Sequence, residues 1–295
     1  MKVYLNGRYL DSTDACIAID DRGFLFGDAL YESIRIYKGG FFRFREHHER
    51  LEQGAKALEI EMPPPEELRA AAEGVAGLNG IGDGILRVTV TRGPGGEGLR
   101  TAGAGPPTVL VTARSIPRNR MVRAEVGFTA ITARSRRSPV GLPVSIKSAN
   151  RLDAIMARLE ADAAGVDEAV LLSAQDFVAE CTAANIFWRT GDRLSTPDLS
   201  IGVLPGVTRA AVLEAATRLG IEVEQGRWPI EALRAAPEAF LTMSSLGPVR
   251  LVKLDSKTMM PAEGDLLPAI RRGYWSMVEE EVARDPISLG RTPEA

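Results

Sequence analysis

Residues 144–152, Val144-Ser145-Ile146-Lys147-Ser148-Ala149-Asn150-Arg151-Leu152, place one lysine between a short apolar run and a segment with helical periodicity. The apolar residues of that segment predict an amphipathic helix: Leu152, Ile155, Met156, Leu159 and Ala163. A lysine at such a strand-to-helix corner can point into a cavity. If it is desolvated there, its amine loses its proton more easily and can form a Schiff base with an aldehyde. A lysine chosen without context is a solvated surface charge, so other residues must support Lys147.

Length and composition limit the possible functions. The chain has 295 residues, enough for two modest domains or one large one. Its net charge of −3 leaves no basic footprint for nucleic acid, and its apolar runs are too short to span a membrane. Two histidines and two widely spaced cysteines argue against a metal centre or a disulfide framework. The N-terminal stretch does not read as a signal peptide, so we expect a cytoplasmic protein without nucleic-acid or membrane partners.

Strand-like and helix-like segments alternate along the chain in two uneven blocks, without an internal repeat. This pattern predicts an α/β or α+β fold. A polar stretch over residues 115–122, which contains Pro117, lies between the blocks. We therefore predict a small N-terminal domain over residues 1–116, an interdomain linker over 117–123 and a large C-terminal, cofactor-binding domain over 124–295.

The stretch Gly93–Gly98 has the spacing G-x-G-x-x-G and follows a predicted strand. A dinucleotide-binding fingerprint must open a helix whose N-terminus holds the pyrophosphate. Residues 99–107 instead contain two more glycines and two prolines, which predicts a loop. We reject the dinucleotide interpretation and favour the rim of an active site over a plain surface loop.

Three further positions have chemistry that complements a lysine-bound aldehyde. The Pro205-Gly206 turn precedes a predicted helix, whose first N–H groups either hold a phosphate or simply start the helix. Arg50 lies on a predicted helix with one apolar face. Its guanidinium either binds a phosphate through two nitrogens or forms a surface salt bridge. Glu180 stands among small apolar residues, either buried with a partner or exposed in a hairpin. Together with Lys147 they predict a phosphorylated aldehyde cofactor.

The chain resembles the class IV (fold-type IV) pyridoxal-phosphate aminotransferases, which include branched-chain and D-amino acid aminotransferases and 4-amino-4-deoxychorismate lyase. The matching segments follow the family order over nearly the whole chain: Asp21–Asp28 with Tyr31, Glu32 and Arg35, then His47–Leu51, Ile146 and Lys147 with Asn150, Glu180–Phe187, and Leu204–Arg209. The resemblance implies a small N-terminal α/β domain, a larger C-terminal domain with a barrel-like sheet, and a homodimer.

The resemblance also implies a pyridoxal 5'-phosphate cofactor and a role for each matching residue. Lys147 would be the catalytic residue, bound to the cofactor as a Schiff base and moving the proton of the substrate Cα. Glu180 would bind the pyridine nitrogen, and Leu204 would pack on the ring. The phosphate would be bound by one guanidinium, two backbone N–H groups and one hydroxyl, from Arg50, Val207, Thr208 and either Ser244 or Ser245. Asn185 and Gly206 complete the predicted cofactor-binding set.

Substrate residues follow no single branch of the family. Tyr31 would line the substrate pocket, and the substrate carboxylate would meet one of four arginines: Arg35, Arg87, Arg92 and Arg100. Branched-chain enzymes usually have Tyr-x-Arg where this chain has Ile85-Leu86-Arg87. The D-amino acid enzyme has an Arg-x-His carboxylate trap, whereas no histidine accompanies Arg100. The residues after Lys147 are similar to the lyase or the D-amino acid enzyme, and those after Glu180 are similar to the lyase.

We therefore expect an aminotransferase that moves an amino group between an amino acid and a 2-oxo acid with ping-pong kinetics. The alternative is a 4-amino-4-deoxychorismate lyase, which releases pyruvate and 4-aminobenzoate and needs no 2-oxo acid acceptor. A third possibility is a non-catalytic scaffold that kept the fold. The joint presence of Lys147, Glu180 and Arg50 argues against that scaffold.

Overall fold

The computed structural model describes residues 1–137, 146–259 and 264–287, so Val144 and Ser145 of the stretch quoted above lie outside the described residues. The chain has mixed α/β structure and divides into two compact units. Within the described residues, unit 1 comprises 1–116, 146–150 and 278–287, and unit 2 comprises 117–137, 151–259 and 264–277. The predicted division into 1–116, 117–123 and 124–295 stays a prediction.

Unit 1 is built on a six-stranded antiparallel sheet. Its strands are β1 (Lys2–Leu5), β2 (Arg8–Asp11), β3 (Ala29–Tyr37), β4 (Gly40–Phe41), β5 (Gly84–Thr91) and β6 (Val109–Arg114), in the order β2-β1-β6-β5-β3-β4. Its helices are α1 (Arg22–Phe26), α2 (Phe44–Leu58) and α3 (Pro65–Leu78).

The core of unit 1 follows from the alternation of side chains along β3. Leu30, Ile34 and Ile36 are buried and share one face of the strand. They belong to one apolar cluster with Leu51 of α2 and Val75 of α3. The opposite face of β3 is therefore left for side chains with another role.

Unit 2 is built on a nine-stranded sheet that curls into a half-barrel. Its elements in chain order are α4 (Arg118–Val126), β7 (Phe128–Arg137), α5 (Leu152–Ala163), β8 (Glu168–Ser173), β9 (Val178–Cys181), β10 (Asn185–Thr190), β11 (Arg193–Pro197), a short 3-10 helix (Leu199–Ile201), α6 (Val207–Arg218), β12 (Val223–Gly226), α7 (Ile230–Ala235), β13 (Ala239–Met243), β14 (Gly247–Leu254), β15 (Lys257–Thr258) and α8 (Leu267–Arg284). The strand order is β12-β11-β10-β13-β14-β7-β8-β9, with β15 on β14. Helix α8 belongs to unit 2 up to Met277 and to unit 1 from Val278.

The predicted helix after Lys147 is confirmed as α5, and it connects the parallel strands β7 and β8. Its apolar stripe faces outward, with Leu152, Ile155, Met156 and Leu159 exposed by 75%, 51%, 53% and 56%. The buried face consists of small residues: Ala154, Ala157 and Ala161. Small side chains let a helix approach a sheet closely, so alanine rather than leucine faces the strands.

Candidate active site

The segment that carries Lys147 is attached to strand β3 of unit 1. The Tyr31 N–H donates to the Lys147 carbonyl at 3.1 Å, and the Ala149 N–H donates to the Ala29 carbonyl at 2.9 Å. The corner predicted at Lys147 is thus an extended segment bridged to β3, and α5 begins only at Leu152. Two backbone hydrogen bonds fix the position from which the lysine side chain projects.

Asn150 closes the same segment. Its Nδ2 donates to the Gly27 carbonyl at 3.0 Å. Gly27 ends α1 with a φ of 66°, in the left-handed region that favours glycine. A Cβ on Gly27 would lie 2.7 Å from Oδ1 of Asn150, so the close approach also requires glycine. Asn150 therefore ties the lysine segment to the end of α1.

The Tyr31 ring contacts two basic side chains. The Lys147 Nζ is 4.7 Å from the centroid of the Tyr31 ring, and the Arg87 guanidinium carbon is 4.0 Å from it. Arg87 stands opposite Ser33 in the register of β3 and β5, which makes it a diagonal neighbour of Tyr31 on the same face. Lys147 is half-buried. The structure thus brings three predicted site residues together on one side of the sheet.

A buried ion pair lies on the core face of β3, opposite to the face of Tyr31. Glu32 is only 1% exposed there. Arg50 donates Nε to Glu32 Oε1 and Nη2 to Oε2, both at 2.7 Å. His47 Nδ1 lies 2.7 Å from Oε2 of the same carboxylate. Both partners lie on the buried stripe of α2, one turn apart. Arg50 therefore is not a surface salt-bridge residue.

Burial and charge determine the ionisation of this cluster. Burial raises the pKa of Glu32, but the Arg50 charge and the His47 hydrogen bond outweigh it and bring the pKa to about 2. Burial lowers the pKa of His47, against the opposing effect of Glu32. Since an ionised carboxylate can only accept, a neutral His47 donates from Nδ1. The cluster then holds one negative and one positive charge.

The other three predicted substrate arginines have different surroundings. Arg35 is 4% exposed and donates to the Ile36 and Gly84 carbonyls and to Asp83, at 2.7, 2.6 and 2.6 Å. Arg92 binds Asp28 through Nε and Nη2, at 2.6 and 3.1 Å. It also donates to two carbonyls at the end of α2, those of Leu58 and Glu59. Arg100 is exposed in the glycine-rich loop.

The glycine-rich loop contains no helix, as predicted for residues 99–107. Arg22 is 2% exposed and holds three successive carbonyls of the loop. Its Nη1 donates to Gly98 at 2.9 Å and to Arg100 at 3.1 Å, and its Nη2 donates to Leu99 at 3.4 Å. The loop tip is thus held by a buried guanidinium, while the Leu99 side chain is 80% exposed. Its place at an active-site rim stays a prediction.

Glu180 lies on β9 of unit 2 and is 4% exposed. The Leu204 N–H donates to its Oε2 at 2.9 Å, and Asn185 Nδ2 lies 3.5 Å from the same oxygen. Arg137 Nε lies 3.2 Å from Oε1. Of the two possibilities left open for Glu180, the structure has the buried, partnered carboxylate. The next residue, Cys181, is also buried, and burial together with Glu168 and Glu180 raises the pKa of its thiol.

Helix α6 begins where the sequence predicted a phosphate-type start. Gly206 is the N-cap residue and has no side chain to cap the first turn. A Cβ on Gly206 would lie 2.0 Å from Oδ1 of Asn185, which in turn donates Nδ2 to the Leu204 carbonyl at 2.9 Å. Val207 and Thr208 are buried in the first turn. Their N–H groups have no intrahelical acceptor and are suited to an anion.

An orphaned hydroxyl tests whether a polar ligand fits this part of unit 2. Thr242 pairs with Asn185 in the register of β13 and β10, and is 2% exposed. Its Oγ1 has no hydrogen-bond partner among the described residues. Ser244 and Ser245 follow in the turn after β13 and are half-buried. A buried donor without a partner costs free energy, so an acceptor-rich group such as a phosphate fits these residues.

Sequence reasoning gave no role to Glu32, His47, Arg137 or Thr242. Two of them carried a signal. Glu32 has the same parity as the core residues of β3, and His47 shares the helical stripe of Arg50 and Leu51. Arg137 and Thr242 carried none, because their partners are distant in sequence.

Residues 1–137, 146–259 and 264–287 contain no candidate metal cluster and no candidate membrane span. No group of three or more His, Cys, Asp or Glu side chains there could hold a metal ion. Across the same ranges, no helix is long and apolar enough to cross a membrane.

Known proteins resemble the chain over most of its length. The amino-transferase class IV family model matches residues 29–254. A provisionally named branched-chain-amino-acid aminotransferase of Methanocaldococcus jannaschii is 37% identical, over 88% of this chain and 90% of its own. The aminodeoxychorismate lyase of Bacillus subtilis is 32% identical, over 92% and 93%. The D-alanine aminotransferase of Listeria monocytogenes is 32% identical, over 95% and 96%.

A solved structure gives the same result for the fold. The T.th. branched-chain amino acid aminotransferase with pyridoxamine 5'-phosphate superposes with a TM-score of 0.85 at 28% identity, over 96% of this chain and 94% of its own. The mixed α/β architecture with a curled half-barrel sheet is that of fold type IV, as the resemblance implied. The chain therefore belongs to the class IV aminotransferases and is an enzyme of that class.

Proposed function

We propose that this enzyme transfers an amino group between an amino acid and a 2-oxo acid, with pyridoxal 5'-phosphate as its cofactor and Lys147 as its catalytic amine. The position of Lys147 carries the proposal, since its backbone is hydrogen-bonded to β3 and its Nζ lies 4.7 Å from the Tyr31 ring centroid. The family match and the pyridoxamine 5'-phosphate named for the T.th. enzyme support the cofactor. When bound, this cofactor supplies an aldehyde carbon and an electron-withdrawing ring.

We assign the phosphate to backbone and side-chain donors. The first N–H groups of α6, from Val207 and Thr208, carry the positive end of the helix dipole. A hydroxyl of Ser244 or Ser245 adds a neutral donor. Arg50 adds a positive charge, and its two-point contact with Glu32 holds the guanidinium in one orientation.

We assign the pyridine nitrogen to Glu180. The carboxylate is buried and accepts the Leu204 N–H, which fixes its orientation. A buried carboxylate is a strong acceptor for a protonated ring nitrogen. Leu204 itself is assigned to one face of the ring, and Asn185 and Gly206 hold the backbone around it.

Lys147 moves the proton of the reaction. We propose that, with the cofactor bound, Nζ would take the proton from the substrate Cα and pass it to the former aldehyde carbon of the cofactor. Tyr31 orients the amine through its ring face, and the Tyr31 N–H holds the backbone of the lysine. Both contacts act on the same residue, so Lys147 approaches its substrate from one direction.

We assign the substrate carboxylate to Arg87. The guanidinium of Arg87 stacks on the ring of Tyr31, which also contacts Lys147. Arg35 is engaged by two carbonyls and Asp83, and Arg92 is engaged by Asp28. These contacts favour structural roles for Arg35 and Arg92. Arg100 is exposed on the loop and remains the second candidate.

Single-turnover spectroscopy tests this proposal. We expect that an amino acid, added without a 2-oxo acid, converts the absorbance of the bound cofactor to that of its amino form. Borohydride reduction of the enzyme before substrate is added, followed by mass mapping, is expected to label Lys147. An enzyme that no L- or D-amino acid converts is not a transaminase. A chain that never takes up the cofactor supports the scaffold interpretation.

The Bacillus subtilis relative supports a second candidate, aminodeoxychorismate lyase activity. A lyase releases pyruvate and 4-aminobenzoate from one substrate, so it turns over without an acceptor. Formation of 4-aminobenzoate in the absence of any 2-oxo acid, at a rate above that of transamination, decides for the lyase. Amino transfer from a D- or L-amino acid to pyruvate or 2-oxoglutarate, measured in a screen of donors, decides for the transaminase.

Homodimerisation and a cytoplasmic location are part of the proposal. Four large apolar side chains on one face of α5 support a second copy as the partner, because such a stripe is costly in water. Sedimentation of the wild type and of Ile155→Asp tests this, since the charge is expected to weaken the dimer. Two free thiols, Cys16 and Cys181, fit a reducing compartment. Fractionation of the source cells tests the location.

A further inference from the structure

Arg137, the last residue of β7, connects three separate parts of unit 2. Its Nη1 donates to Asp153 Oδ2 at 2.6 Å, in the first turn of α5. Its Nε donates to the Gly202 carbonyl at 3.3 Å and lies 3.2 Å from Glu180 Oε1. The side chain is 12% exposed. A guanidinium held at this many points keeps one orientation.

The carboxylate of Glu180 has different partners on its two oxygens. Oε2 receives the neutral donors, the Leu204 N–H and the more distant Asn185 amide. Oε1 faces the Arg137 guanidinium. Among the ion pairs of the described residues, Arg137 is the cation that contacts Glu180. A charged group that is buried without such a partner costs free energy, so Arg137 and Glu180 each stabilise the position of the other.

We propose that Arg137 is a positioning residue that holds the carboxylate of Glu180 in one orientation toward the cofactor. The inference rests on the proposed function, in which Glu180 serves the ring nitrogen. Asp153 takes part because it engages the other end of the guanidinium. Arg137 and Glu180 act as a unit, so Arg137 affects the cofactor only through Glu180.

Arg136 provides a matched control one residue away. Its Nε lies 2.9 Å from Asp176, and the two side chains are 40% and 72% exposed. Arg136→Met therefore removes one arginine from the same strand without touching Glu180. Arg137→Met removes the charge from the pair, and Arg137→Lys keeps a charge without the forked geometry.

The experiment is a double-mutant cycle on the full chain with Arg137→Met, Glu180→Gln and the double variant. The readouts are the cofactor dissociation constant, the pH midpoint of the visible absorbance change of the bound cofactor, and the Tm of the cofactor-free protein. We expect Arg137→Met to weaken cofactor binding at least tenfold and to raise the pH midpoint, because losing a cation favours proton uptake nearby. Arg137→Lys restores the midpoint, and Arg136→Met behaves as wild type. In the Glu180→Gln background, Arg137→Met has little further effect on binding.

Additive effects of the two substitutions on cofactor binding overturn the inference, because Arg137 then acts independently of Glu180. An unchanged pH midpoint in Arg137→Met overturns it as well. If Arg137→Met does not fold, Arg137→Gln, which also removes the positive charge, replaces it in the same cycle. Failure of the proposed function is seen separately, as wild-type enzyme in which borohydride leaves no label on Lys147.

Discussion

Glu32 and Arg50 form a two-point ion pair, with Nε and Nη2 of the arginine each 2.7 Å from a different carboxylate oxygen. The pair is buried between a strand and a helix of unit 1. Because two of its three nitrogens are fixed by one carboxylate, the plane and direction of the guanidinium are set before any ligand binds. The proposed phosphate contact of Arg50 therefore depends on a residue that need not touch the cofactor.

Glu32→Gln is expected to destabilise the protein by about 3 kcal/mol at pH 7, because it leaves the buried Arg50 charge without its counter-ion. The Glu32 pKa falls from 4.5 to about 2 in the folded protein. A lowered carboxyl pKa gives stability that is present above pH 4.5 and lost as the pH falls toward 2. Urea denaturation at several pH values is expected to show this acid loss in wild type and less of it in Glu32→Gln.

Glu49→Gln is the control for that substitution. Glu49 is on the same helix, 55% exposed and 3.7 Å from Arg45. We expect a change within about 0.5 kcal/mol and the acid profile of the wild type. If the two variants are equally stable, the buried pair does not contribute as described.

Arg87→Met and Arg35→Met are expected to separate substrate binding from stability. Loss of a charge-assisted contact to the substrate carboxylate is worth about 2 kcal/mol, so Arg87→Met should raise KM roughly 30-fold with little change in Tm. Arg35→Met leaves the buried carbonyls of Ile36 and Gly84 without a donor, so it should lower Tm and leave KM near wild type. Steady-state kinetics and thermal melts on both variants make the comparison. A raised KM in Arg35→Met with an unchanged KM in Arg87→Met would assign the substrate carboxylate to Arg35 instead.

Lys147→Ala is expected to reduce turnover by about 10⁴-fold or more, since the substrate proton loses the base assigned to it. The fold should persist, because the backbone of the segment makes the hydrogen bonds to β3. Circular dichroism and single-turnover rates measure the two effects. Lys38→Ala is the control: Lys38 is 76% exposed and paired with Glu279. Turnover that survives in Lys147→Ala contradicts its assignment.

Gly206→Ala is expected to weaken cofactor binding by about tenfold or more. The added Cβ would lie 2.0 Å from Oδ1 of Asn185, so the amide must leave its hydrogen bond to Leu204. The effect is steric, because Gly206 has a φ of −65°, which any residue adopts. Fluorescence titration with the cofactor measures the loss. Gly273→Ala is the control, since its Cβ would meet other atoms no closer than 3.4 Å. Equal affinities for both variants would show that Asn185 can move freely.

The elements around the site could be predicted because their signals are local. Strand β3 (Ala29–Tyr37) and helix α2 (Phe44–Leu58) follow from periodicity of two and of 3.6 residues. The same periodicity placed Arg50 beside apolar residues. Glu32 could have been found in this way, because it occupies a core position of its strand.

The rest of the site depends on contacts between distant residues. Arg137 meets Asp153, Glu180 and Gly202, which lie 16, 43 and 65 positions away, and no short pattern encodes such a meeting. The apolar residues of α5 predict the helix correctly. They do not identify its buried face, because alanines make the contact with the sheet. The segment predicted as a linker forms α4, since Pro117 is as suited to start a helix as to interrupt one.

Cys181 follows Glu180 on β9, and its thiol is buried, whereas the thiol of Cys16 is exposed. The chain has two cysteines in all. A maleimide reagent should therefore modify one sulfur in the folded protein and the second only when β9 opens. The rate of the slow phase of that modification measures how often the strand that carries Glu180 opens. The measurement needs neither substrate nor cofactor.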